Sequence, residues 1–271
     1  MQHSKNYQVD SSTDIHVLSS GNAGSPKPTL IFLHFWGGSS RTFSATISQI
    51  SPDYQSLAID FRGWGSSTGP QSPEAYSIHQ LAIDIEIIIS KLDIRDFILI
   101  GHSMGGKVAQ LIAGRNGLKG LKGLVLIAPA PPTPLELPPD MKEQQLTAYS
   151  STESAEFVTR NVLSASELSD GSVALIVEDM LKGNVFARAA WPEYAMGEDI
   201  VEHASKISVP VLVIGGGKDK VEPVGRLEKE ILGTIDGAEM RVIENSGHLL
   251  PVEAPTLVAR YIEYFAAKVV A

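Results

Sequence analysis

Residues 97–113 read FILIGHSMGGKVAQLIA, and the fold follows from how this stretch divides. The run Phe97–Ile100 is apolar throughout, as in a parallel strand covered on both faces. Val108, Ala109, Leu111 and Ile112 follow a helical period, which predicts a helix from about Met104 to Arg115. GHSMGG, between them, leaves room for one sharp turn. A serine at the top of such a turn has an exposed hydroxyl and a strained backbone. Gly101 and Gly105 flank Ser103 at minus two and plus two, where strand and helix approach too closely for side chains. The turn also aims the Met104 amide and the start of the helix at the same point, where both favour developing negative charge. Ser103 is therefore the candidate nucleophile. A glycine-rich turn whose serine merely caps a helix is the competing reading, and the strand-turn-helix context argues against it.

The same rhythm extends outward. Thr29–Leu33, Gln55–Ile59, Leu124–Ile127, Val211–Ile214 and Met240–Ile243 are further short, branched, apolar runs. Val9–Leu18 adds a weaker signal for antiparallel edge strands. Ile78, Leu81, Ala82, Ile85, Ile88, Ile89 and Leu92 trace the stripe of a helix packed on a sheet, with Ser77 as its cap and Pro73 in the loop before it. A last helix is expected from about Thr256 to Ala267, just after Pro255. Strands separated by helical segments of this length predict an α/β fold with a mostly parallel central sheet flanked by helices.

One region breaks the pattern. APAPPTPLELPP, residues 128–139, is too rich in proline for a helix or sheet interior, and the sequence from Glu136 to about Ile207 is helical without a clear strand. The expectation is a core of residues 1–131 and 206–271 with a helical cap, 132–205, inserted in it; a structureless connection of that length is rare.

Composition narrows the function. With 271 residues, 43% hydrophobic and 20% charged, the chain can bury a substantial core. The net charge of -9 and the lack of a Lys/Arg-rich run argue against a nucleic-acid partner. The absence of cysteine excludes a disulfide framework, a thiolate nucleophile and a cysteine-ligated metal. No segment reaches the roughly 18 apolar residues of a membrane span. The polar start, MQHSKNYQVDSSTD, lacks the apolar stretch of a signal peptide, so a cytoplasmic protein is the default expectation. No His/carboxylate spacing suggests a metal, and GGG at 215–217 lacks the dinucleotide-binding spacing; neither metal nor cofactor is expected.

GHSMGG in this setting resembles the α/β-hydrolase superfamily, in particular its single-domain esterases and related hydrolases with a helical cap after the sixth strand. The resemblance runs from about Thr29 to Ala267; the cap matches only in position and helical character. It implies a chain order of serine, acid, histidine. The acid falls on Asp219, in GGGKDKVEP directly after VLVIG, and the stretch after the sixth strand offers no carboxylate until Glu136. The histidine falls on His248 in NSGHLLPVEAP. In such a set His248 takes the Ser103 proton and returns it to the leaving group, while Asp219 fixes the imidazole tautomer. HFWGGSS, from His34, matches the segment that supplies the oxyanion hole: His34 is structural, and the amides of Trp36 and Met104 are the donors. Phe35 departs from the usual glycine; it removes no amide but narrows the floor of the site. DFRGWGSS, residues 60–67, resembles the loop after the next strand, with Asp60 and Arg62 bracing it and Trp64 either in the core, the favoured reading, or a pocket wall.

The resemblance implies acyl transfer through an acyl-enzyme. Dehalogenases and epoxide hydrolases of this fold carry an aspartate where this chain has Ser103. The expected substrate is a small carboxylic ester. A lactone, an amide, a carbon–carbon bond or a cofactor-free haloperoxidase or perhydrolase reaction uses the same residues, and a non-catalytic binding protein is the remaining class. Phe35, His102, Phe157, Trp191 and Tyr194 are the candidate pocket residues. The expected partner is a small acyl substrate, without nucleic acid or stable membrane insertion.

Overall fold

A computed structural model of the chain describes residues 2–269; Met1 and residues 270–271, which the expected core segments include, lie outside the described residues. Eight strands form one sheet: β1 (His3–Asp10), β2 (Thr13–Gly21), β3 (Thr29–Leu33), β4 (Gln55–Ile59), β5 (Phe97–His102), β6 (Leu121–Ile127), β7 (Val211–Gly216) and β8 (Glu239–Ile243). Their spatial order is β1-β2-β4-β3-β5-β6-β7-β8. β1 and β2 are antiparallel to their neighbours, and β4 to β8 join β3 in a parallel array.

The unbroken apolar runs now have a cause. Ile31, Leu33, Leu99, Leu124, Leu126 and Val213 face one core, with the helices Ile78–Lys91 and Met104–Arg115. The alternate residues Leu30, Phe32, Ile98, Ile100, Val125 and Ile214 face a second core, closed by Phe43 and by Val258, Ile262 and Phe265 of the last helix, Pro255–Val269. These central runs are thus apolar on consecutive residues because both faces are covered, each such side chain contributing about 1.5–3 kcal/mol on burial. The N-terminal hairpin is longer than the weak signal at Val9–Leu18 and turns between Asp10 and Thr13, inside that stretch. β1 is mostly exposed, and its inward positions Tyr7 and Val9 alternate over too short a run to stand out.

Between β6 and β7 there is no strand among the described residues. Helices Pro139–Thr147, Thr152–Val158, Asp170–Lys182, Val185–Glu193 and Val201–Ala204 fill this insertion, with a π-helical turn at Thr159–Leu163. No helix among the described residues is long and apolar enough to cross a membrane.

Candidate active site

Ser103 connects β5 to the helix Met104–Arg115 with φ 53° and ψ −116°, a conformation costing a non-glycine residue about 1–3 kcal/mol. Four hydrogen bonds hold it there. The Ser103 amide donates to Ile127 O (3.0 Å), and its carbonyl accepts from the amides of Gly106 (2.8 Å), Lys107 (3.1 Å) and Ala130 (3.0 Å). A Cβ on Gly101 would stand 2.4 Å from Gly105 O, and one on Gly105 would stand 2.3 Å from Leu33 O. Both glycines are therefore required by close approach. The Ser103 hydroxyl has no hydrogen-bond partner among the described residues, and the residue is 8% exposed.

Asp219 and His248 meet, although 29 positions apart. Asp219 ends a glycine turn after β7 and its Oδ1 accepts from the amides of Val221 (2.7 Å) and Glu222 (3.0 Å). Its Oδ2 lies 2.8 Å from His248 Nδ1. A carboxylate only accepts, so Nδ1 carries the proton and Nε2 is left as a base. Burial works against the charge on Asp219, yet His248 and the hydrogen bonds to Asp219 hold its carboxyl below the usual range. Burial likewise opposes the His248 imidazolium, but Asp219, then Glu222 and Glu253, outweigh it and raise its pKa.

His102 joins this pair to the elbow. Its Nε2 donates to the His248 carbonyl at 2.8 Å, and the two rings lie 5.1 Å apart. Buried completely, it is pushed down to about 3 and stays neutral. Phe35 also packs against it, with ring centroids 5.2 Å apart. Phe35 and His102 are thus both buried and packed on one another.

His34 is structural in its contacts: Nδ1 donates to Phe35 O (2.7 Å), and Nε2 accepts from the Phe61 amide (3.0 Å). Asp60 accepts from the Ser40 and Ser66 amides and pairs with His16, and Arg62 grips Asp84 through two 2.6 Å bonds. Trp64 is buried in the core against Gly183. The amides of Trp36 and Met104 donate to no loop or side-chain acceptor among the described residues.

The expected pocket walls fare unevenly. Phe157 is 61% exposed: it shares a short helix with the buried Ala155, and two positions along a helix reverses the face. Trp191 is buried in the main core, and the Tyr194 hydroxyl donates to Pro73 O (2.6 Å) and accepts from the Tyr76 amide (3.2 Å), fastening the insertion to the core.

Sequence reasoning missed three residues at this site. Glu253 braces the histidine loop: its carboxylate accepts from the amides of Gly247 and Leu249 (3.1 Å each) and of Ala165 and Ser166 in the insertion (3.0 Å each). Glu222, 2% exposed, is pushed up to about 7 by burial despite His248 and Arg226 nearby. Tyr149 reaches Trp36 from the insertion. Glu253 stands five positions after His248 and Glu222 three after Asp219, which is the only trace they leave in the sequence.

The pattern of the alpha/beta hydrolase family matches residues 30–261, and the chain belongs to that family. Among curated proteins it is 26% identical over 237 residues to the non-heme chloroperoxidase CPO-A1 of Kitasatospora aureofaciens, covering 81% of this chain and 84% of that one. It is 27% identical over 236 residues to 3-oxoadipate enol-lactonase 2 of Acinetobacter baylyi, covering 84% and 85%. Among solved structures, an esterase from Exiguobacterium antarcticum superimposes with a TM-score of 0.84 at 22% identity over 94% of this chain and 96% of the other, a likeness of fold.

Proposed function

We propose that the protein hydrolyses a small carboxylic ester through Ser103, His248 and Asp219, by way of an acyl-enzyme. The observation carrying this reading is the 2.8 Å contact of Asp219 with His248 Nδ1 beside a serine held at positive φ. Ser103 Oγ bonds to the ester carbon while its proton passes to His248 Nε2 and the carbonyl π pair moves onto oxygen. The oxyanion faces the amides of Trp36 and Met104; losing one such donor costs about 3–4 kcal/mol. Collapse expels the alkoxide, which takes the proton from His248, and water repeats the sequence to release the acid. Catalytic hydrogen bonds are commonly long before substrate binds, so the free Ser103 hydroxyl is compatible with this role.

Residues 132–205 act in this reading as a cap over the core segments 1–131 and 206–271. Three contacts support it: the His248 amide donates to Leu163 O at 2.7 Å, Glu253 holds Ala165 and Ser166, and Tyr149 holds Trp36. A lactone is an internal ester that the same residues would open, and the enol-lactonase relative supports that second reading.

Turnover of nitrophenyl acetate, butyrate and octanoate beside a panel of simple lactones tests the reaction class. Hydrolysis of the short linear esters, abolished in a folded Ser103→Ala variant, is the expected result. Turnover of lactones alone would favour the second reading, and no turnover of any acyl compound would remove both.

A further inference from the structure

Tyr149 comes from the insertion, yet it is buried against the loop after β3. Its hydroxyl donates to Trp36 O at 2.9 Å, and its ring lies over the Trp36 indole with centroids 4.1 Å apart and planes at 31°. The contacts close on themselves. The indole N–H of Trp36 donates to Arg188 O at 3.0 Å, and the Arg188 guanidinium donates to Tyr149 O at 2.6 Å. Room for the tyrosine is made by Gly37, at φ 94°, where a Cβ would stand 2.6 Å from the ring. Two positions further on, Ser39 Oγ donates to the buried Asp179 of the insertion at 2.7 Å, so the loop is gripped twice.

The bonds on either side of the Trp36 amide explain what the grip achieves. The carbonyl of its own peptide, Phe35 O, accepts from His34 Nδ1 (2.7 Å) and from the Gly38 amide (2.9 Å). The carbonyl of the next peptide, Trp36 O, is held by Tyr149. The two peptide planes meet at the Trp36 Cα, so fixing both leaves the intervening N–H no freedom to turn. That N–H donates to no acceptor among the described residues. Buried amides are rarely left unpaired, and one held rigidly without a partner is suited to a charge that appears only during reaction.

We propose that Tyr149 is a positioning residue for the oxyanion hole, its hydroxyl locking the Trp36 peptide so that a seated insertion, and not the core alone, sets the donor geometry. This rests on the reading of Ser103 as nucleophile and of the Trp36 amide as donor. Burial raises the pKa of the Tyr149 phenol, which keeps it a hydrogen-bond donor. A hydroxyl that only satisfied the core would stabilise every state of the site equally; a positioning hydroxyl matters most to the anion.

Tyr149→Phe keeps the ring and removes the hydroxyl. Its affinity for a short alkyl trifluoromethyl ketone is measured beside that for the methyl ketone of the same chain length. With the fluorinated ketone, Ser103 Oγ bonds to the ketone carbon, the serine proton passes to His248, and the π pair becomes an oxyanion. The expected result is a loss of about 10–30-fold in trifluoromethyl ketone affinity and in kcat for nitrophenyl butyrate, smaller than outright loss of a donor. The methyl ketone affinity and KM should stay within about twofold, since neither depends on a formed anion. Equal loss for both ketones, or no loss, overturns the proposal. Should Tyr149→Phe fail to fold, Trp36→Phe cuts the tie to Arg188 and is expected to show the same selective loss. Wild-type protein that forms no adduct at Ser103 would instead sink the serine reading, which separates the two failures.

Discussion

Lys107 lies one helical turn beyond Ser103, and its ammonium donates to Met196 O at 3.0 Å. A second bond of 3.0 Å reaches Thr133 O, so one buried cation ties both ends of the insertion to the elbow helix. Burial pushes this ammonium from 10.5 down to about 8. A lysine with a depressed folded pKa penalises the native state below that pKa and ceases to do so as pH rises towards the unfolded value.

Lys107→Met removes this titration. The unfolding free energy of the wild type is therefore expected to gain on that of Lys107→Met between pH 8 and 10.5, by up to about 3 kcal/mol. Urea titrations at several pH values measure the difference. Parallel pH profiles for the two proteins would show that Lys107 does not titrate with folding. The same variant orphans the Thr133 carbonyl, at about 1–3 kcal/mol, while Met196 O keeps the Leu135 amide, and it should be cut more readily by protease within residues 131–139.

The acid limb of activity supplies a second prediction. Asp219, Glu222 and Glu253 all favour the protonated form of His248, against burial, while His102 beside it stays neutral. His248 must be neutral to act as a base, so kcat/KM should fall as pH drops through a value above the ordinary imidazole range of about 6.5. Glu222, pushed up to about 7, is ionised only in the upper part of that range, so Glu222→Gln is expected to move the limb only slightly to lower pH, leaving the plateau rate within about threefold. A pH–rate profile that is unchanged, or moved upward, would show that Glu222 does not act on His248.

The sheet was legible because burial on both faces writes every residue of a strand in apolar letters, as at Phe97–Ile100 and Leu124–Ile127. The elbow was legible because steric closeness at Gly101 and Gly105 admits only glycine. β1 was not, since this exposed edge strand packs only Tyr7 and Val9 against the core. The ties from the insertion were also hidden. Tyr149 lies in a turn and Asp179 and Lys107 on helices, all in stretches of ordinary composition, and their roles depend on what each one docks against. Phe157 shows the converse failure: an aromatic residue in the insertion looked like a pocket wall, but its helical phase turns it outward.

The central claim is that Ser103 is a nucleophile made reactive by His248 and Asp219, and covalent labelling tests it most directly. The protein is treated with a fluorophosphonate, digested, and the modified residue located by mass spectrometry. The adduct is expected on Ser103, slowed by about a thousandfold or more in His248→Ala and severely in Asp219→Asn, whose imidazole adopts the wrong tautomer. Labelling confined to another residue, or Ser103 labelled equally fast without His248, would contradict the account.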